Sequence, residues 1–276
     1  MLPWLFAQGT LVLAAWASYA SPEEQADGRA LYRLHCAVCH GETGRGDGPG
    51  SALNVPRPRD FATGQFRLIS SKRKVPTRED LFETITSGIP GTGMLPWGHL
   101  PKEQRWALAD TVLDLTKAGI ASQLSGTPEE TRLEAEKRLK AERYVAPLMP
   151  PSTPERLAHG RQLFVDACVS CHGENGRGLR DPGWKTAEGE GLGSRDLVSG
   201  TFKGGEDPDS LFRRIQFGIP GTPMSALEAD DPNDVWDLVH YTKSLRQVPP
   251  ELAPLEPLWM PEAANEQARL IDHDFH

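Results

Sequence analysis

Cys36-Ala37-Val38-Cys39-His40 and Cys168-Val169-Ser170-Cys171-His172 decide how this chain is read. Each is C-x-x-C-H, the pattern by which a polypeptide attaches haem covalently. The spacing has a chemical reason. Two thiols three positions apart on a turning backbone can add to the two vinyl groups of one porphyrin. The histidine that follows then falls beneath the iron as its proximal imidazole ligand. The 276-residue chain holds four cysteines, Cys36, Cys39, Cys168 and Cys171, and the two motifs use them all. A four-cysteine zinc site needs its two C-x-x-C knuckles close in sequence, whereas these lie far apart and each carries its own histidine. Disulfides leave both histidines unexplained. The reading is one covalent haem per motif, with His40 and His172 as iron ligands.

The motifs sit inside a repeat of a whole domain, which a search for internal similarity exposes first. Gly28-Arg29-Ala30-Leu31-Tyr32 before the first motif returns as Gly160-Arg161-Gln162-Leu163-Phe164 before the second. Further on, Leu81-Phe82 through Gly88-Ile89-Pro90-Gly91-Thr92 returns as Leu211-Phe212 through Gly218-Ile219-Pro220-Gly221-Thr222. Two residues after each Gly-Thr comes a methionine, Met94 and Met224, and Trp106 and Trp236 keep the same register. The near-constant offset means duplication.

On these residues the chain resembles the class I cytochrome c family in a tandem dihaem form, over residues 22–118 and 154–246. The resemblance implies two covalently bound haem c groups. It also implies an N-terminal helix that ends in each haem motif and a C-terminal helix that crosses it through a Gly–aromatic contact. Gly28 with Tyr32, and Gly160 with Phe164, match that contact, while Trp106, Trp236 and Tyr241 fit the crossing helices. The family's distal iron ligand is a methionine on a loop well after the motif, the place that Met94 and Met224 occupy. A thioether is soft and neutral and favours ferrous iron, raising the reduction potential. The Gly-Ile-Pro-Gly-Thr string is turn-rich and suited to presenting one side chain. The competing role for a methionine is to fill an apolar gap. The chain has only five methionines, and these two are the repeat-matched pair.

Other candidates are weaker. His99 follows Met94 closely, but the second repeat has Leu227-Glu228-Ala229 there and no histidine. His35, His159 and His240 read as surface or core histidines. Arg59-Asp60 and Arg195-Asp196 also recur, followed by Phe61 or Leu197. An arginine between haem motif and distal ligand suits a haem propionate, since guanidinium pairs with carboxylate. A solvent-facing ion pair explains it equally well. Pro56 or Pro58 is expected to supply the carbonyl that accepts the proximal imidazole N–H.

The boundaries follow. Residues 1–20 carry no charged side chain, include Leu11-Val12-Leu13-Ala14-Ala15-Trp16, and end in Ser18-Tyr19-Ala20. They read as an export signal or, if retained, an N-terminal anchor. The expectation is a domain over 21–120, a linker over 121–153, a second domain over 154–247 and a Pro-rich acidic tail over 248–276. Ser21-Pro22-Glu23-Glu24 and Thr153-Pro154-Glu155 read as helix starts, as do Thr77 with Asp80, Asp207-Pro208 and Asp231-Pro232. Gly88 and Gly218 read as helix stops. With no convincing alternating pattern, the fold expected is all-α, with long Gly/Pro loops over 41–66 and 173–205 wrapped on the haem. In the linker, Thr127-Pro128-Glu129-Glu130 caps a charged helix whose i, i+4 pairs, Glu134/Arg138 and Glu136/Lys140, suggest a solvated spacer. A stiff extended connector runs on from Ala146-Pro147.

The function expected is an exported, periplasmic dihaem cytochrome that transfers single electrons between respiratory partners. It is either a free carrier or a subunit of a larger oxidoreductase complex, and touches the membrane only if residues 1–20 are retained. A net charge of −8 suits a partner with a basic docking face, or simply a soluble surface, and no nucleic-acid partner is expected. No catalytic residue is assigned. A dihaem peroxidase needs an open or displaceable distal side, against which the matched methionines argue. A thiosulfate dehydrogenase-like dihaem enzyme typically uses a distal cysteine, and no spare cysteine exists.

Overall fold

The computed structural model describes residues 27–179, 183–185 and 191–246. The export or anchor segment 1–20, the helix start at Ser21-Pro22 and the tail 248–276 lie outside the described residues. The fold is all-α, with one short ribbon. The first helix, α1 (Gly28–His35), opens at Asp27, whose carboxylate accepts hydrogen bonds from the Arg29 and Ala30 amides. An aspartate that satisfies the orphan amides of the first turn defines the N-terminus. The first haem motif turns through α2 (Ala37–His40), and α3 (Arg78–Ser87) follows with the capping box of Thr77 and Asp80. The helix α4 (Lys102–Ala121) then crosses α1.

The second half repeats this order. Thr153 caps α6 (Pro154–Ala167), which leads into the second motif as α7 (Val169–His172). Asp207 caps α8 (Pro208–Phe217), and Asp231 caps α9 (Pro232–Ser244), which crosses α6. The predicted stops Gly88 and Gly218 do end α3 and α8, at φ values of 63° and 71° that suit glycine. The long loops are less bare than expected. Residues 51–53 and 61–63 form 3₁₀ turns, and β1 (Trp184–Lys185) pairs antiparallel with β2 (Gly191–Leu192).

Two glycines set the helix crossings. A Cβ at Gly28 would meet the Ala107 carbonyl and the Thr111 hydroxyl on α4, and one at Gly160 would meet the Asp237 carbonyl on α9. The crossings thus bring backbone against backbone. One turn along, Tyr32 is 2% exposed and donates its phenol to the Gly41 carbonyl at 2.8 Å, the partner that a buried hydroxyl requires. Its counterpart Phe164 lacks the hydroxyl and packs against Tyr241 at 5.2 Å. Each half has its own core, the first around Leu81, Leu108 and Val112, the second around Phe212, Trp236 and Val239.

The linker helix α5 (Pro128–Leu139) departs from the spacer expectation. Its outer face does carry ion pairs: Glu134 to Arg138 at 3.0 Å, and Arg132 to Glu136 at 2.6 Å. Arg132 thereby takes the Glu136 expected for Lys140, which sits past the helix end as its C-cap. The other face buries Ala135 and Leu139 against Ile120 of α4, so the helix is docked on the first half. The connector after it touches both halves. The Tyr144 amide donates to the Ser70 carbonyl at 2.7 Å, and its ring packs on Phe212 and Phe217.

Candidate cofactor site

Each motif places its cysteines and histidine at the end of an N-terminal helix, because α1 and α6 stop at Cys36 and Cys168 and the chain tightens into one further turn. All four cysteines are half-buried. Burial, with a smaller push from the neighbouring cysteine, raises the Cys36 thiol to about 12 and the Cys168 thiol to about 11. The His40 Nδ1 lies 3.3 Å from the Arg59 carbonyl, and the His172 Nδ1 lies 3.1 Å from the Arg195 carbonyl. A carbonyl only accepts, so Nδ1 carries the proton and Nε2 is left as the free lone pair, as a metal-ligating histidine requires. Burial holds both imidazoles below the ordinary histidine value, the backbone hydrogen bond opposing it. The accepting carbonyls belong to the recurring arginines, which corrects the expectation of Pro56 or Pro58.

The methionine loops are superposable in their bonding. The Met94 amide donates to the Thr92 hydroxyl at 3.1 Å, and that hydroxyl donates to the Ile89 carbonyl at 2.8 Å. Met224, Thr222 and Ile219 repeat this at 3.2 Å and 2.7 Å. The Met94 and Met224 carbonyls accept the Ile89 and Ile219 amides, closing each loop. A Cβ on Gly88 would fall 2.6 Å from the Met94 carbonyl, so the loop closes only over glycine there.

In the second half these parts converge on a cavity of about 450 Å³. Cys168, Cys171 and His172 line it, as does Met224, with Leu197, Phe202, Leu211 and Leu238 among its apolar wall. Arg195, Lys203 and Arg214 supply cations to the same wall. Burial pushes Lys203 down to about 8, with Arg195 and Arg67 adding repulsion. Burial likewise lowers Arg195, which Asp196 partly offsets, and brings Arg214 to about 10. Arg214 is held by the Lys203 and Gly205 carbonyls, at 2.7 and 2.5 Å. An apolar cavity with two thiols and an imidazole, a thioether and several desolvated cations fits a flat apolar macrocycle that bears carboxylates. Desolvated cations need such anions.

His99 is exposed, its ring 5.5 Å from Trp97. His159 binds the Asp237 carboxylate at 3.0 Å and His240 the Pro150 carbonyl at 2.9 Å, both structural uses. Trp106 and Trp236 do lie on the crossing helices, where they pack on Phe82 and Phe212. Arg67 and Lys203 were not foreseen. A signal existed: Arg59-Asp60-Phe61 through Phe66-Arg67 and Arg195-Asp196-Leu197 through Phe202-Lys203 share one register over nine residues, with a cation at each end. Asn54 was also missed; it bonds the Gly50 carbonyl at 2.8 Å and faces Cys39 and Gly93.

Known proteins resemble this chain in sequence and in fold. The family described as "Cytochrome C oxidase, cbb3-type, subunit III" matches residues 23–110, and the family "Cytochrome c" matches residues 157–246. Subunit CcoP of the cbb3-type cytochrome c oxidase of Rhodobacter capsulatus is 32% identical over 202 residues, covering 72% of this chain and 52% of the relative. Subunit FixP of the Bradyrhizobium diazoefficiens oxidase is 25% identical over 229 residues, covering 80% and 61%. The chain thus spans about half to three fifths of the length of these relatives. Among solved structures, a chain of the Kuenenia stuttgartiensis reducing HAO-like protein complex superposes with a TM-score of 0.66 at 29% identity. That match covers 80% of this chain and 96% of the other. No helix among the described residues is long and apolar enough to cross a membrane.

Proposed function

Starting from a chain that carries two cytochrome c domains in tandem, each with its covalently bound haem c, we propose an electron-transfer protein whose two irons are both held by histidine and methionine. His40 and Met94 are the ligands in the first domain, and His172 and Met224 in the second. The bound haem supplies a one-electron ferric/ferrous couple. The protein's residues hold the axial groups in place. The Arg59 and Arg195 carbonyls orient the imidazoles, and the Thr92 and Thr222 hydroxyls stiffen the methionine loops. The domains run over 21–120 and 154–247, joined by the 121–153 linker.

The observation that carries this reading is the cavity that His172 and Met224 line together, with the same methionine loop repeated at Met94. A haem held by a histidine on one side and a methionine on the other would leave no position for a substrate, which favours electron relay over turnover of peroxide or thiosulfate. The relatives are oxidase subunits, which favours a subunit of a respiratory oxidoreductase complex on the periplasmic side over a free carrier. Its partners are redox proteins, at the membrane through that complex or through a retained N-terminal segment.

Optical and low-temperature EPR spectra of the oxidised holoprotein, followed through reduction with and without peroxide, test the reading. Two low-spin haems inert to peroxide are expected. A high-spin haem, or one that reacts with peroxide after half-reduction, would remove Met94 or Met224 from the ligand set and put the enzyme reading first.

A further inference from the structure

The first domain exposes five large apolar side chains, Leu34, Val38, Leu53, Val55 and Leu95, from 53% exposed at Val38 to 89% at Leu53. Short contacts gather them round one place. Val38 sits between the two cysteines of the first motif, and Leu34 stands one turn before it on α1. The Gly50 amide donates to the Val38 carbonyl at 2.8 Å, which brings the 51–53 turn beside the motif. Asn54 lies between Leu53 and Val55. Its amide nitrogen donates to the Gly50 carbonyl and faces the Cys39 sulfur at 3.7 Å, and its amide oxygen stands where a Cβ on Gly93 would fall. Leu95 follows directly after Met94. The five side chains thus border Cys39 and Met94, which belong to the two segments that would hold the first haem.

This border carries no charge. No Asp, Glu, Lys or Arg occurs over residues 48–56 or 84–101. The duplication makes the second domain a built-in comparison, and there the same face is polar. Leu34, Val38 and Leu95 return as Asp166, Ser170 and Ser225, and Gly98-His99-Leu100-Pro101 returns as Glu228-Ala229-Asp230-Asp231. Among its described residues the second domain exposes two large apolar side chains, Val165 and Leu179, each by less than half. Two copies of one fold need the same core, so apolar residues kept on the surface of one copy alone are not explained by folding. Clustered on a surface, such residues mark an interaction site.

We propose that the first domain is the one that docks the external redox partner, and that this partner presents an uncharged, apolar face around its own redox centre. Charge decides the occupant's chemistry. A partner's Lys or Arg pressed on this border would be desolvated with no counter-charge there to meet it, whereas an apolar face has no such cost. The acidic net charge of the whole chain therefore does not describe the docking face. The nearness of Cys39 and Met94 makes the occupant a redox protein. The inference rests on the electron-transfer reading above and deepens it, by assigning the partner to one domain and giving the chemistry of its face.

The test sets the full-length holoprotein against azurin, a blue-copper protein with an uncharged apolar face over its copper, and against a cytochrome c whose haem edge is ringed by lysines. Stopped-flow spectroscopy reads the electron-transfer rate, in whichever direction the potentials allow. NMR of zinc-substituted azurin, which is redox-inert, reads binding by itself. The variant L34D/V38S/L95S gives the first domain the residues that the second already folds with, and V165D is the control on the second domain. With no ion pair to screen, the wild-type rate with azurin is expected to change less than about twofold between low and high salt. L34D/V38S/L95S should lower that rate and the affinity roughly tenfold, as loss of central contacts in an interface does, and V165D should change neither. A wild-type rate that falls steeply with salt, a V165D effect as large as that of the triple variant, or a triple variant as fast as the wild type would each overturn the proposal. A triple variant slowed with the lysine-ringed cytochrome but not with azurin would overturn it too, the face then taking a basic partner. So would a wild-type dimer in sedimentation velocity that the triple variant dissolves, the occupant then being a second copy of this chain. If the triple variant does not mature, L53D, at the most exposed of the five, carries the same expectation. Failure of the electron-transfer reading shows separately, as a high-spin signal in the wild-type spectrum.

Discussion

Gly160→Ala probes the crossing that positions the second haem motif. The new Cβ would overlap the Asp237 carbonyl and come within 3.1 Å of the Tyr241 Cβ. The Asp237 carbonyl is helix backbone, so no rotamer change relieves the clash and α6 must move off α9. Overpacking of a core typically costs about 1–3 kcal/mol, and a backbone clash belongs at the upper end. Alanine returns about 1 kcal/mol of helix propensity over glycine, which leaves a net loss of roughly 2 kcal/mol. For a domain of this size that lowers the thermal midpoint by roughly 8–16 °C. Far-UV circular dichroism melting of the holoprotein measures it, with the Soret band as a second probe. Phe164 and the end of α6 carry the shift into the motif, so the His172 contact with the Arg195 carbonyl is expected to loosen with it. A G160A protein that melts within a degree of the wild type would refute the argument, because the helices would then have room for a methyl group.

Further substitutions test the other parts. Thr222→Val removes the hydroxyl that bonds both the Met224 amide and the Ile219 carbonyl, at about 1–2 kcal/mol; the reduced variant should bind carbon monoxide more readily than the wild type. Arg214→Leu leaves the Lys203 and Gly205 carbonyls without their donors, which should cost roughly 2–4 kcal/mol and lower the melting of the second domain. Ala135→Glu places a charge at a fully buried position on α5; it should detach the helix and open the linker to protease at about 3 kcal/mol or more. Replacing both Cys168 and Cys171 by alanine should leave one covalent haem per chain in a pyridine haemochrome assay, against two in the wild type.

Much of this structure was legible in short strings. Thr77 with Asp80, Thr127 with Glu130, and Asp207 and Asp231 before proline all cap where they stand, because capping chemistry is local. Gly28 and Gly160 were readable as crossing points through the resemblance to class I cytochromes c, whose Gly–aromatic contact they match. The failures are non-local. Nothing in Ala135 or Leu139 says which of two faces of a charged helix finds Ile120 to cover it. The carbonyl that receives the proximal histidine could not be told from its neighbours, since every residue of that loop has one. Arg67 and Lys203 recur in register, yet their meeting depends on how two domains dock, which no spacing within either one encodes.

The segment around Tyr144 is tied to both halves, by its amide to Ser70 and by its ring to Phe212 and Phe217. Further along, Pro150 receives His240. A tether secured in this way raises the effective concentration of one domain at the face of the other. Domains held together by their own chain need not rely on a greasy seam between them. The contacts across this seam include arginine against glycine and an exposed pair, Lys74 with Glu228 at 3.1 Å, of a kind that contributes little by itself. The connector thus takes over the work of cohesion and leaves the facing surfaces free to be chosen for their charge.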